Sequence, residues 1–195
     1  MPVEQAVLPR TTRTGDIQVC HLHINPSFAE QDLNSAGTVY SEFLVGTRED
    51  GTFAITNVPA GRIWYVYPKM ESVADRNIGA DLIACETKGD GQVVDVGDIE
   101  LSPAHTLRGK VVLSDGKPVP PDMHVTLSID RAWDTQFAVI GPDGSFQFRG
   151  LPKGVYELLP GVKGYRFGDG FGTDVLVDRD VHDVTLTMEP VPARP

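Results

Sequence analysis

"DGTFAITNVPAG" (Asp50–Gly61) and "DGSFQFRGLPKG" (Asp143–Gly154) decide the fold, because one chain carries the same phrase twice. Asp50-Gly51, Phe53, Pro59 and Gly61 return as Asp143-Gly144, Phe146, Pro152 and Gly154, all at one offset of 93 residues (Asp50 to Asp143). A period of that size is too long for a solenoid repeat and right for a whole small domain. Within each phrase, Asp-Gly is a tight-turn signal, since glycine accepts positive φ. Alternating apolar residues follow: Phe53, Ile55 and Val58 in the first copy, Phe146, Phe148 and Leu151 in the second. That pattern predicts a strand with one buried face, ended by a proline that cannot donate to a ladder. Pro-x-Gly then turns the chain into a further strand, "RIWYVYP" (62–68) or "VYELLP" (155–160).

Outward from the phrase, more short apolar segments appear. The first half has "IQVCHLHI" (17–24), "YSEFLV" (40–45), "DLIAC" (81–85) and "VVDVGDIEL" (93–101). The second half has "KVVLS" (110–114), "HVTLSI" (124–129), "QFAVI" (136–140) and "DVTLTM" (183–188). Gly, Pro, Asp or Asn bound them all, and no amphipathic helical period competes. The expectation is an all-β chain of two tandem immunoglobulin- or transthyretin-like sandwiches, each of about seven strands. One local exception is "PSFAEQDLNSAG" (26–37), where Ser27 and Glu30 form a capping-box pattern that predicts a helical turn or two. The boundary falls in "LSPAHTLRG" (101–109), too short and too poor in Gly and Ser to be a flexible tether, so a stiff junction is expected. Copy one therefore spans 1–102, with "EQAVLP" (4–9) as a weak first strand. Copy two spans 103–190, and 191–195 is a tail.

Composition narrows the function classes. With 27 acidic against 17 basic residues, the net charge is −10. Nucleic acid would be repelled, because its binding rests on Lys and Arg neutralising phosphates. No apolar run approaches the roughly 20 residues that span a bilayer. The opening "MPVEQAVLPR" lacks the apolar stretch and cleavage motif of a signal peptide, so the chain reads as cytoplasmic or as the mature part of a longer exported protein.

The segment "GDIELSPAHTLRGKVVLSDGKPVP" (97–120) followed by "DGSFQFRGLPKGVYEL" (143–158) resembles the carboxypeptidase regulatory-like domain, a transthyretin-like sandwich. The matching positions are Leu107, Gly109, Val111, Asp115, Gly116, Pro118, Val119, Asp143, Gly144, Phe146, Leu151, Pro152, Gly154 and Tyr156. Copy one matches through "DGTFAITNVPAGRIWYV" and "GDIEL", and departs at its start and at Ser27–Thr38. These are turn and core positions, informative on fold and nearly silent on function. The resemblance implies a non-catalytic accessory, binding or spacer module without a cofactor. It would belong to a larger periplasmic or cell-surface bacterial protein, and its partners would be a protein or carbohydrate and the adjacent domains.

Candidate chemistry is sparse. His21 and His23, two apart on a strand, share a face and could chelate a metal. Aligning Cys20, Leu22 and Ile24 with Val125, Leu127 and Ile129 places the two histidines on the outer face, as a solvated pair or as a metal site lacking a specified third ligand. Intradiol dioxygenases hold ferric iron with such a pair, but there it follows the tyrosines, whereas here it precedes Tyr40, Tyr65 and Tyr67. Hydrolase and P-loop motifs are absent from the sequence. The acidic loops 88–98 and 178–183 read as solvated turns before calcium sites. Applying the offset of 93 equates Tyr156 with Ile63 and Leu158 with Tyr65, which puts those in the core and turns Trp64 outward. An outward Trp64 is a candidate interface residue or sugar-stacking platform, and Trp133, in a charged loop, is a second candidate. Cys20 and Cys85 fall on early and late strands of copy one. Both an inter-sheet disulfide and two buried thiols stay open.

Overall fold

The computed structural model describes residues 21–26, 43–48, 50–89, 91–129, 134–168 and 172–192, with the backbone alone for 21–26, 43, 44 and 62. The chain is all-β. Its strands are β1 (His21–Pro26), β2 (Phe43–Gly46), β3 (Arg62–Pro68), β4 (Ile78–Gly79), β5 (Ile83–Thr87), β6 (Ser102–Pro103) and β7 (His105–Leu113). Then come β8 (His124–Ile129), β9 (Thr135–Val139), β10 (Ser145–Leu151), β11 (Gly154–Gly161), β12 (Tyr165–Phe167), β13 (Thr173–Val177) and β14 (Val181–Pro190). A single helical turn, α1 (Met70–Val73), runs into a 3-10 turn at Ala74–Arg76. The chain divides into two compact units. One holds the described residues up to Val73 together with Gly79–Ser102; the other holds Ala74–Ile78 and the residues from Pro103 onward.

The second unit is a sandwich of two four-stranded sheets, β10-β7-β14-β12 and β13-β11-β8-β9. Period-2 alternation puts Leu107, Val111, Leu113, Phe146, Phe148, Leu186 and Met188 inward from the first sheet. Val125, Leu127, Ala138, Tyr156, Leu158 and Val177 come from the second, and all of these side chains are buried. Eight strands stand where about seven were expected, because Tyr165–Phe167 adds a short edge strand beside β14. Gly109 has a mechanical reason to be glycine: a Cβ there would lie 2.4 Å from Phe146 Cζ and 2.5 Å from the Val184 carbonyl oxygen. The Phe146 ring occupies the space that Gly109 leaves open.

A piece from the middle of the first copy belongs to this second unit. Asn77 donates through Nδ2 to the Ala104 carbonyl (2.9 Å) and accepts at Oδ1 from Gly150 N–H (3.3 Å). The Ala104 N–H in turn donates to the Asn77 carbonyl (2.9 Å). The single cut at 102/103 drawn from the sequence misses this segment, since nothing in "ADRNI" announces its partners.

In the first unit the sheet order is β2-β1-β3-β5, the same succession as β9-β8-β11-β13 in the second. Ile24 lies opposite Val66 and Leu22 opposite Pro68, and His23 opposite Tyr67. Leu158 faces Leu127 in the second unit, so Ile24 is the counterpart of Leu127, two residues from the alignment drawn above but in the same phase. Phe53 and Ile55 are buried as expected, although 53–55 does not form a strand. "VVDVGDIEL" likewise alternates in burial without strand pairing among the described residues. "EQAVLP", the expected first strand, and the expected helical turn after Ser27 lie outside the described residues.

Candidate functional site

The repeated phrase builds one hydrogen-bond pattern in both units. Asp50 Oδ1 accepts from Thr52 N–H (3.0 Å) and Thr52 Oγ1–H (2.7 Å). Asp143 Oδ1 accepts from Ser145 N–H (3.0 Å) and Ser145 Oγ–H (2.7 Å). The Gly51 and Gly144 amides donate to the carbonyls of Arg48 and Gly141, both at 2.9 Å. In each case the hydroxyl bond is the main reason the aspartate is held below its ordinary pKa, with the backbone N–H second. These carboxylates are ionised turn-builders.

Beyond the turn, each unit ties an aromatic side chain to the Pro-x-Gly corner. In the second, Tyr156 Oη–H donates to the Pro152 carbonyl (2.8 Å), the tyrosine-corner device of sandwich folds. In the first, Trp64 Nε1–H donates to the Pro59 carbonyl (3.2 Å) and to Thr87 Oγ1 (3.2 Å), while the Thr87 hydroxyl donates to the same carbonyl (2.7 Å). Pro59 and Pro152 are repeat mates; Trp64 and Tyr156 are not, by one residue.

This overturns the outward placement of Trp64. Its side chain is 1% exposed, while Ile63, assigned to the core, is 37% exposed and Tyr65 is intermediate. The strands confirm the shift: Trp64 lies opposite Cys85 on β5 as Tyr156 lies opposite Val175 on β13. An extra residue between Gly61 and the corner aromatic moves every later side chain to the other face. Trp64 therefore offers no platform to an external ligand.

Cys85 points inward as expected. It lines a cavity of about 40 Å³ with Phe53, Ile55, Val58 and Val66. Its thiol is free, and burial raises its pKa, which keeps it protonated and a poor nucleophile at neutral pH. The space suits about one water and is far below the roughly 300–1,000 Å³ of small-molecule sites. Cys20 and Trp133 lie outside the described residues, and for His21 and His23 the structure gives strand positions alone. Among the described residues, no group of three or more His, Cys, Asp or Glu is placed to hold a metal ion. In the acidic loops, Asp95 Oδ1 accepts from Gly97 N–H (2.9 Å) and Asp180 Oδ1 from Thr106 N–H (2.9 Å).

A surface cluster that sequence reading missed joins Asp115, Lys117 and Tyr165. Lys117 Nζ (2.8 Å) and Tyr165 Oη–H (3.0 Å) both donate to Asp115 Oδ2. Lys117 is the largest influence lowering the Asp115 pKa, and the bond to Asp115 raises that of Lys117. The cluster links the Asp-Gly turn after β7 to β12, fifty residues later, a separation no local motif signals. Among the described residues, no helix is long and apolar enough to cross a membrane.

No family model matches the chain, and no curated protein matches it. Among solved structures, it is similar to a minor pilin of Streptococcus agalactiae, with 17% identity, TM-score 0.41 and 98% of each chain covered. A streptococcal ancillary pilin aligns with 14% identity and TM-score 0.37, over 97% of this chain and 70% of that one. The shaft pilin SpaA of Lactobacillus rhamnosus GG aligns with 10% identity and TM-score 0.36, over 99% of this chain and 100% of that one. Likenesses this loose carry no argument about what the chain does.

Proposed function

We propose that the chain is a non-catalytic module of the carboxypeptidase regulatory-like kind, serving as a binding or spacer segment of a larger extracytoplasmic protein. The observation that carries this reading is the duplicated scaffold. At the recurring positions the Asp carboxylates and the Thr and Ser hydroxyls hold the turns, and one residue out of step with each other the corner aromatics Trp64 and Tyr156 hold the Pro-x-Gly corners. A chain that repeats its polar motif as structural joinery repeats a scaffold. The resemblance in 97–120 and 143–158 supports the same reading.

The rival is a ferric oxygenase centred on His21 and His23. Metal analysis of the purified chain, before and after incubation with ferric iron and desalting, separates the two. The expected result is iron well below one equivalent and no cleavage of catechol. Stoichiometric iron lost in His21→Ala and His23→Ala would replace the module reading with the oxygenase. Sequencing the complete gene and fractionating its source cells test the larger, extracytoplasmic protein.

A further inference from the structure

We propose that Ala74–Ile78 is a strap through which the fold of the first unit governs the opening of the second, with the carboxamide of Asn77 completing the bulged end of the β7/β10 pair. The register creates the need. Phe148 lies opposite Leu107 and Leu151 opposite His105, so Arg149 and Gly150 on β10 face Thr106 alone on β7. Such a bulge leaves one residue outside the ladder, and Gly150 is left-handed there, with φ 69°. Thr106 turns its own N–H elsewhere, donating to Asp180 Oδ1 (2.9 Å). Gly150 and, just before β7, Ala104 are buried, so their backbone groups need partners within the protein.

Asn77 supplies them. Its Oδ1 accepts from Gly150 N–H (3.3 Å), its Nδ2 donates to the Ala104 carbonyl (2.9 Å), and its own carbonyl accepts from Ala104 N–H (2.9 Å). A carboxamide carries a donor and an acceptor as a peptide group does, so it stands in for a missing strand residue. The φ of 50° at Asn77 is one that asparagine tolerates, and Asn77 N–H donates to the Ala74 carbonyl (3.0 Å), closing the turn. Ala74 in turn seats against Gly150, where a Cβ would fall 2.6 Å from Ala74 Cα. Both flanks of the strap, up to Val73 and from Gly79 onward, belong to the first unit. Met70 and Val73 on one side and Ala80 on the other are buried. Folding of the first unit therefore holds both ends of the strap, which raises its effective concentration at the bulge. When that unit unfolds, reseating the strap costs chain entropy, and Gly150 N–H, Ala104 N–H and the Ala104 carbonyl lose their partners together.

Amide exchange of the full chain in low denaturant, resolved by residue, tests the proposal. In the wild type, the Ala104 and Gly150 amides should open together with those of β3 in the first unit, and not with those of β8 and β11 in the second. Asn77→Gly keeps the left-handed φ and deletes the carboxamide, and should speed exchange at Gly150 roughly tenfold or more. Trp64→Ala weakens the first unit. It should speed exchange at Ala104 and Gly150 in the wild-type background and add little in the Asn77→Gly background. A first unit that Trp64→Ala unfolds outright serves the same test, since it releases both ends of the strap. Ala104 and Gly150 opening with β8 and β11, Gly150 unchanged in Asn77→Gly, or equal effects of Trp64→Ala in the two backgrounds overturns the proposal. The wild-type exchange pattern decides the matter if Asn77→Gly misfolds.

Discussion

The two Pro-x-Gly corners are built from the same parts and differ by one residue. Up to the corner, the copies share their left-handed backbone positions. Gly51 and Gly144 have φ of 81° and 85°, and the repeat mates Asn57 and Gly150 have 63° and 69°. They part at the next pair: Gly61 has φ 73°, whereas Gly154 is not left-handed. Tyr156 reaches its proline carbonyl across four residues, Trp64 across five. The glycine with positive φ absorbs the added residue, as in a bulge, and the aromatic side chain still arrives at the carbonyl. The core position follows the group that makes this bond, and the residue count from the motif gives way to it.

The largest expected effect tests which residues are mates. Trp64→Ala and Tyr156→Ala should each cost about 3–5 kcal/mol, as truncations of fully buried aromatics do. Ile63→Ala and Val155→Ala, on the exposed face beside them, should cost about 1 kcal/mol or less. Denaturant unfolding of the full chain, followed by amide exchange in each unit, gives the ranking. Ile63 outranking Trp64 would restore the offset of 93 through β3 and dissolve the shared corner.

The left-handed pair gives the next effect. A Cβ on Gly150 would sit 2.6 Å from Ala74 Cα, backbone that cannot swing aside. Gly150→Asn should therefore cost roughly 1–3 kcal/mol by overpacking, although asparagine tolerates its φ. Asn57→Gly, at the exposed mate, should change stability by less than about 1 kcal/mol. If the two swaps cost the same, φ alone governs both sites and the Ala74 contact is irrelevant.

Removing one corner bond should be milder. Tyr156→Phe deletes the hydroxyl and should cost about 0.5–1.5 kcal/mol. Thr87→Val should cost less, because Trp64 Nε1 still donates to the Pro59 carbonyl. Equal losses in chemical denaturation would mean that the threonine, rather than the indole, holds the first corner.

Much of the fold was legible because its signals are local. Asp-Gly turns, period-2 alternation and prolines at strand ends require no knowledge of distant partners, and they placed β3, β8, β9, β10 and β11. What failed was a count. The phase of Trp64 depended on one residue after Gly61, and "AGRIWYV" alternates plausibly in either phase, since Ile63, Trp64, Tyr65 and Val66 are all large and apolar. Helix α1 and the Ala74–Ile78 segment gave no warning, since a single turn of helix has no period to detect. The Asp115–Lys117–Tyr165 cluster follows from strand order, which short motifs do not encode. Among the candidate site residues, Cys85 kept its inward phase because its neighbour two residues back, Ile83, is apolar and shares its face.

The smallest effect concerns the turns, where the copies agree. Folding lowers the pKa of both Asp50 and Asp143, chiefly through the Thr52 and Ser145 hydroxyls and then through their N–H groups. A folded pKa below the unfolded value near 4 contributes stability that is present above that value and is lost as pH falls through the folded pKa. Both turns should therefore weaken with acid in the same window, below about pH 4, and be indifferent to pH between about 5 and 8. Asp→Asn keeps Oδ1 as an acceptor but removes the titration. The double variant Asp50→Asn/Asp143→Asn should flatten the acid limb of a melting-temperature profile, with each single variant contributing a similar part. Arg48 lies near the first carboxylate and Lys110 near the second, both as minor influences, so added salt should shift the two singles alike. An acid limb unchanged in the double variant would assign the loss to other carboxylates. A limb that responds to one single variant alone would show that the two turns, alike in the bonds their aspartates accept but with Arg48 Nη1 donating to Thr52 Oγ1 (3.1 Å) in the first alone, differ in their electrostatics.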